Sequence, residues 1–255
     1  MDYMAYAYLQ TGQDAAVRQL VTALPDLEVR LGRNPPASAA PVPAGYFALA
    51  AIPARQALEH RDWAAAARIM PRSTTVLYAD ALSHFARALG AARTGALPVA
   101  RASVDALKQL RDKLSAAGEA YWAEQVDIQR EGAEAFVALA EGRASDALAA
   151  MRRAADREDA TEKNVVTPGS LLPARELLAD LLLDLKQPKA ALHEFETTMK
   201  KEPKRFRGLY GAARAAALLG DGAAARAYYT QLLAMCERTD QPGRAELAEA
   251  RAAVR

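Results

Sequence analysis

The stretch Leu185-Lys-Gln-Pro-Lys-Ala-Ala191 decides the fold, because Leu219-Gly-Asp-Gly-Ala-Ala-Ala225 repeats its pattern 34 residues later. The same interval of 34 residues separates Phe195 from Tyr229. A fixed period of this length indicates a repeated pair of helices, which must stack on its neighbours to bury an apolar face.

Extending this register over the chain predicts six turns between paired helices, at Gly12, His60, Gly95, Gly142, Lys186 and Gly220. Mostly small residues lie five positions after these turns (Val17, Ala65, Ala100, Ala147, Ala191, Ala225) and seven before them (Ala5, Pro53, Ala88, Ala135, Ala179, Ala213). Antiparallel helices approach closely only where the contacting side chains are small. The pattern therefore predicts an all-α fold.

On these residues the chain resembles tetratricopeptide repeat (TPR) proteins. Other segments, including Tyr121 to Gln129 and Thr167 to Glu176, are similar to the C-terminal part of larger bacterial TPR proteins of unassigned function. The resemblance implies a right-handed α-solenoid of about six antiparallel helix hairpins with a C-terminal capping helix. It also implies a protein-interaction scaffold with further repeats upstream, and it assigns no catalytic residue.

We predict a single superhelical domain over residues 1–255. Its predicted segments are a first hairpin (1–29), a proline-rich loop (30–44), irregular repeats with lengthened helices (45–157), a loop insertion (158–170), two regular repeats (171–239) and a capping helix (240–255). The loop 30–44 contains Asn34-Pro-Pro36, Pro41 and Pro43, which do not continue a helix. The helices on either side of Gly118 are expected to be long, because no proline interrupts them.

The first helix of each hairpin is expected to line a concave groove. Arg207, Tyr210 and Arg214 recur at spacings of three and four residues and so share one helical face, where they could hold a carboxylate or an extended peptide. In the preceding repeat, Glu176 and Asp180 begin an acidic row. The alternative interpretation is that this row pairs with the arginines in ordinary ion pairs between repeats.

Gln129 and Trp122 are predicted to lie farther forward in the same groove. The residues expected near Gln129 are apolar: Phe47, Leu82, Phe85 and Phe136. Core packing is the simpler explanation of each phenylalanine, because apolar residues at helical spacing are usually buried. Trp122, beside Tyr121 at the start of a long helix, is either a core residue or an anchor for a partner.

The loop insertion supplies a second set of candidate binding residues: Glu162, Lys163, Asn164 and, just beyond it, Arg175. A loop of this length inside a repeat array is uncommon unless it has a function, and folded back it would border a ligand. The alternative is a tolerated insertion held down by local hydrogen bonds.

The sequence contains few residue patterns that are typical of catalytic or metal-binding sites. The 33 basic and 31 acidic residues are interspersed, which argues against a nucleic-acid surface. His60, His84 and His193 have no metal-binding spacing, and Cys236 is the only cysteine. We therefore predict no catalytic residue, no metal site, no cofactor and no enzyme activity.

The expected function is a soluble, non-catalytic scaffold that binds a protein or peptide partner of unknown identity. One alternative is a regulatory or assembly domain of a larger protein that self-associates through the N-terminal face around Tyr3 and Tyr6. Another is a small-molecule or metal-binding sensor. No signal peptide pattern follows Met1 and no apolar run reaches the length of a membrane span, so a cytoplasmic location is the default expectation.

Overall fold

The computed structural model describes residues 1–33, 42–163 and 169–255, and these residues form helices and no strands. The predicted all-α class is therefore confirmed. The chain forms two compact units. Unit 1 contains Met1–Tyr6 and Arg18–Ala174, and unit 2 contains Ala7–Val17 and Arg175–Arg255. Helices α1 (Asp2–Gln10) and α2 (Asp14–Thr22) contribute residues to both units.

Unit 1 is built from helices that pack on their neighbours in chain order. They are α3 (Leu24–Arg33), α4 (Val42–Glu59), α5 (Trp63–Ala67), α6 (Leu77–Arg93), α7 (Leu97–Ala116), α8 (Ala120–Ala140) and α9 (Ala144–Asp159). Helix α6 packs against α4, α5, α7 and α8, and α8 packs in turn against α7 and α9. The first helices of three successive hairpins, α4, α6 and α8, therefore lie side by side.

Unit 2 continues the same pattern with α10 (Ala174–Asp184), α11 (Pro188–Lys201), α12 (Phe206–Leu218), α13 (Gly222–Met235) and α14 (Ala245–Val254). Helices α11 to α14 pack consecutively on one another. Their core contains Phe206, Leu209, Ala213, Tyr229, Leu232, Cys236, Leu247 and Ala250. Helix α14 lies within the predicted capping segment 240–255, and its Leu247 and Ala250 are fully buried.

Left-handed backbone marks the predicted turns. Five of the predicted turn residues have positive φ angles: Gly12 (71°), Gly95 (78°), Gly142 (78°), Lys186 (58°) and Gly220 (79°). A residue of this conformation ends a helix by allowing the backbone to satisfy its last carbonyl groups. The helix–turn–helix register is therefore confirmed at these turns.

The register at His60 is wrong by one residue. The left-handed residue of that turn is Arg61, with φ 56°, which lies 34 residues before Gly95. The crossing point, where the two helices of a hairpin approach each other closely, moves by the same one residue. Pro53 and Ala65 are partly exposed, whereas Ala54 and Ala66, one position later, are completely buried.

The predicted first hairpin and proline-rich loop differ from the structure. Helix α3 begins at Leu24 and runs to Arg33, so residues 1–29 contain parts of three helices and residues 30–33 are helical. Helix α4 begins at Val42, and Pro43 lies in its first turn, where a proline removes no helical hydrogen bond. Residues 34–41, with Asn34, the following prolines and Pro41, lie outside the described residues.

The long helices around Gly118 are confirmed. Helix α7 has 20 residues and α8 has 21, and Gly118 connects them with a φ of 77°. These lengths account for the wide spacing between the turns at Gly95 and Gly142.

Candidate functional site

Four aromatic side chains of unit 1 meet where α4, α6 and α8 lie side by side. We call Phe47, Tyr78, Tyr121 and Trp122 the aromatic surface. The rings of Tyr78 and Trp122 stack with their centroids 3.9 Å apart and their planes within 7°. Phe47 lies 6.4 Å from both rings, and Tyr121 contacts Trp122 edge to face at 4.9 Å.

The aromatic surface is only partly covered. Phe47 is buried at 5% exposure, Tyr78 and Trp122 are partly exposed, and Tyr121 is exposed at 37%. Burial, with a smaller contribution from the negative charge of Glu119, raises the pKa of Tyr78. Its hydroxyl therefore stays protonated at neutral pH. The sequence left Trp122 open as core or surface, and the structure gives it both a packed neighbour and an accessible part.

The loop insertion is fastened beside the aromatic surface. The hydroxyl of Tyr121 donates to the carbonyl oxygen of Glu162 at 3.1 Å, and Gln125 Nε2 donates to Thr161 Oγ1 at 3.1 Å. These bonds place Glu162 next to the start of α8. Lys163 is exposed, while Asn164 lies outside the described residues, as do the other residues of 164–168.

The far end of the loop insertion is held by buried Arg55 of α4. Arg55 donates to the carbonyl oxygens of Ser170 at 2.7 Å and Gly169 at 2.8 Å, and it pairs with the Asp2 carboxylate at 2.9 Å. Glu158 in the last turn of α9 accepts from Ser170 Oγ at 2.8 Å. Both ends of the insertion are thus tied down by hydrogen bonds.

Gln129 lies on α8 seven residues after Trp122, which places the two side chains on the same helical face. Its Oε1 atom is buried and has no hydrogen-bond partner among the described residues. The apolar residues expected near it, Phe47, Leu82, Phe85 and Phe136, are all at most 5% exposed. These residues therefore belong to the core, and the accessible part of this face comes from Tyr78, Tyr121 and Trp122 of the aromatic surface.

The other predicted site residues belong to unit 2. Arg207 is buried and pairs with Glu246 of α14 at 2.8 Å, and the Tyr210 hydroxyl donates to Glu249 Oε2 at 2.6 Å. Arg214 is exposed, and its guanidinium lies 5.8 Å from the centre of the Tyr210 ring. The three residues share one face of α12, and Arg207 and Tyr210 on that face bond to α14.

Glu176 and Asp180 of α10 are both buried. The Glu176 carboxylate receives two bonds from Arg205, at 2.9 and 3.2 Å, and the two side chains are 1% and 2% exposed. Arg175 instead pairs with Glu194 of α11 at 2.6 Å. Within the acidic row, Glu176 therefore takes part in a buried ion pair with Arg205, the residue just before α12.

The histidines and the cysteine are the remaining residues with potentially reactive side chains. His193 is exposed, and burial, followed by the charge of Arg87, lowers the pKa of partly buried His84. Burial raises the pKa of the Cys236 thiol to about 11, so it remains protonated, and its Sγ lies 3.7 Å from the Gln10 carbonyl oxygen. In the described ranges, no group of three or more His, Cys, Asp or Glu side chains is placed to hold a metal ion.

None of the described helices is both long and apolar enough to cross a bilayer.

The sequence analysis did not identify Tyr78 as part of the aromatic surface, or Glu246 and Glu249 as the residues that bond to Arg207 and Tyr210. An aromatic residue in the first turn of two successive first helices, Tyr78 in α6 and Trp122 in α8, was the available signal for the aromatic surface.

No model of a known protein family matches the chain, and no curated protein matches it either. The likeness to tetratricopeptide repeats accordingly rests on the residues and the spacing given above.

Proposed function

We propose that this chain is a non-catalytic scaffold that binds a protein or an extended peptide along the first helices of its hairpins. We also propose that its helices form a right-handed solenoid of about six TPR-like hairpins. The supporting observations are the intervals of 34 residues between left-handed turn residues, from Arg61 to Gly95 and from Lys186 to Gly220. Buried alanines at most of the predicted crossing points support the same arrangement.

The aromatic surface is the observation that supports binding most directly. Stacked Tyr78 and Trp122 present large rings with few rotatable bonds, and such residues dominate the binding energy of many interfaces. Gln125 follows Trp122 on the same side of α8 and bonds to Thr161, so the loop insertion lies beside the stacked rings. The expected ligand is an extended peptide with a bulky apolar side chain that packs on the exposed part of Trp122.

Peptides selected from a displayed random library on the wild-type chain are expected to depend on Trp122. Loss of a hot-spot aromatic residue costs about 2 kcal/mol or more, so Trp122→Ala should weaken binding by roughly 30-fold. Affinity is measured by fluorescence anisotropy of labelled peptides, after melting curves have shown equal stability of the variants.

Trp63→Phe is the matched control, because Trp63 lies on α5 with its ring beside Arg61 and Arg93, away from the aromatic surface. This variant should bind the selected peptides within about twofold of wild type. Peptides that bind equally well to the Trp122→Ala chain, or a selection that enriches none, would contradict the proposal.

Self-association is a second candidate function, favoured by the exposed apolar side chains of α1. Tyr3 is 53% exposed, Met4 49% and Met1 39%. Light scattering is expected to show a dimer whose fraction rises with protein concentration and falls in the Tyr3→Glu, Met4→Lys variant. A strict monomer over the accessible concentration range would rule this candidate out.

A further inference from the structure

Helix α14 is held against α12 and α13 by two glutamates. Arg207 pairs with Glu246 at 2.8 Å. The two oxygens of Glu249 each accept one tyrosine hydroxyl, from Tyr210 at 2.6 Å and from Tyr229 at 2.7 Å. We call Arg207, Tyr210, Arg214 and Tyr229 the acid-binding face. It recognises carboxylates three residues apart on a helix.

The protonation states of the two tyrosines and of Glu246 favour these hydrogen bonds. Burial, and then the bond to Glu249, raises the pKa of both Tyr210 and Tyr229, so each phenol keeps the proton it donates. Burial alone would raise the pKa of Glu246, but its interactions with Arg207 and Arg244 lower it overall. At neutral pH the Glu246 carboxylate therefore docks on Arg207 in its ionised form, and the two tyrosines offer protonated hydroxyls to Glu249. Hydrogen bonds to an ionised group are the stronger class.

Helix α14 leaves part of the acid-binding face unused. Arg207 and Tyr210 of α12 bond to Glu246 and Glu249 of α14, and the residues of each pair are 39 positions apart. The two helices therefore run in the same direction, and the same interval places position 253 opposite Arg214. That position is Ala253, which is exposed. The exposed Arg214 guanidinium has no ion pair among the described residues of unit 2, apart from its contact with the Tyr210 ring.

The segment before α14 is anchored separately. Arg244 is buried, pairs with Asp14 and donates to the Leu9 carbonyl oxygen at 3.0 Å, and Thr239 Oγ1 donates to the Gly12 carbonyl oxygen at 2.9 Å. Beyond Arg244, only Leu247 and Ala250 of α14 are fully buried. Helix α14 can therefore leave α12 and α13 while the anchored segment stays in place.

We propose that the acid-binding face is the docking site for an amphipathic helix of a partner protein, and that α14 occupies it as an exchangeable internal competitor. The partner helix carries acidic residues in the pattern Glu-x-x-Glu-x-x-x-Glu, with apolar residues between them that replace Leu247 and Ala250. Its third acidic residue pairs with Arg214, which gives it an interaction that α14 lacks. Every residue of this site lies in unit 2, so its test is independent of the aromatic surface of unit 1.

The test uses the full chain and a labelled synthetic peptide with the sequence of residues 243–255 carrying Ala253→Glu. Binding is compared between the wild-type chain and the Glu246→Gln, Glu249→Gln chain, whose own α14 is held less tightly. An internal competitor lowers the apparent affinity of the wild type, so the peptide should bind the variant chain at least tenfold more tightly. Adding Arg214→Gln to that variant should weaken binding tenfold, and a peptide with glutamine at its acidic positions should not bind.

Hydrogen exchange is measured on the wild-type chain, so this part of the test does not depend on how well the variant folds. The amides of residues 245–254 are expected to exchange at least tenfold faster than those of 206–218, because α14 opens without α12. Equal affinity of the two chains for the peptide, no binding to either, or exchange of α14 as slow as that of α12 would each overturn the proposal.

Discussion

Changing Gly90 to alanine is expected to destabilise unit 1 by about 3 kcal/mol, the upper end of the usual cost of overpacking a core. A Cβ atom at Gly90 would lie 2.4 Å from the Ala67 backbone nitrogen and 2.6 Å from the Trp63 carbonyl oxygen. Both are backbone atoms of the α5 helix and cannot rotate away, so α5 and α6 would have to separate. The loss is measured as a shift in the midpoint of urea unfolding, followed by circular dichroism.

Gly132→Ala provides the matched control in the neighbouring helix α8. The nearest atom to a Cβ there is Met151 Cε at 3.5 Å, an ordinary contact, and alanine is favoured over glycine in a helix by up to about 1 kcal/mol. This variant should be as stable as the wild type or more so. If the two substitutions shift the midpoint equally, the close approach of α5 and α6 is wrong.

Replacing Glu176 by alanine is expected to cost about 3–5 kcal/mol, the usual loss when one member of a buried ion pair is removed. The pair with Arg205 has side-chain exposures of 1% and 2%, so the remaining guanidinium would be buried without its carboxylate. The same urea titration measures this loss. Asp146→Ala, at a solvent-exposed pair with Arg143, should cost less than about 1 kcal/mol.

A double substitution separates the loss of a charge from the loss of packing. Glu176→Leu with Arg205→Met removes both charges and keeps much of the volume, so it should recover most of the stability that Glu176→Ala loses. If Glu176→Ala costs no more than Asp146→Ala, Glu176 is not a structural residue. That result would instead favour Glu176 as a residue that lines an open groove.

Local signals in the sequence predicted the helical register well. The signals were a glycine or Lys186 at five of the six predicted turns, and alanines at most crossing points. They depend only on backbone conformation and side-chain size close by in the chain. The turn near His60 has no glycine to mark it, which is why Arg61 was missed. Helix α3 was missed because residues 1–29 were assigned to a single hairpin and the prolines after Arg33 were taken to begin a loop at residue 30.

The candidate sites could be predicted only in part, because their partners lie far along the chain. Periodicity correctly placed Arg207 and Tyr210 on one face, but it could not show that Glu246 and Glu249 of α14 occupy that face. Arg205 escaped prediction for a different reason. It precedes α12 with an extended backbone, at φ −88° and ψ 136°, so helical spacing does not determine its direction.

Emission from Trp122 tests the central claim, that the aromatic surface binds an extended peptide. In a Trp63→Phe chain, Trp122 is the only tryptophan and lies 3.9 Å from the Tyr78 ring. Adding a selected peptide should shift its emission to shorter wavelength in proportion to binding, because the peptide removes water from the partly exposed ring. A peptide that binds with unchanged Trp122 emission would show that the binding site lies elsewhere, and would contradict the account.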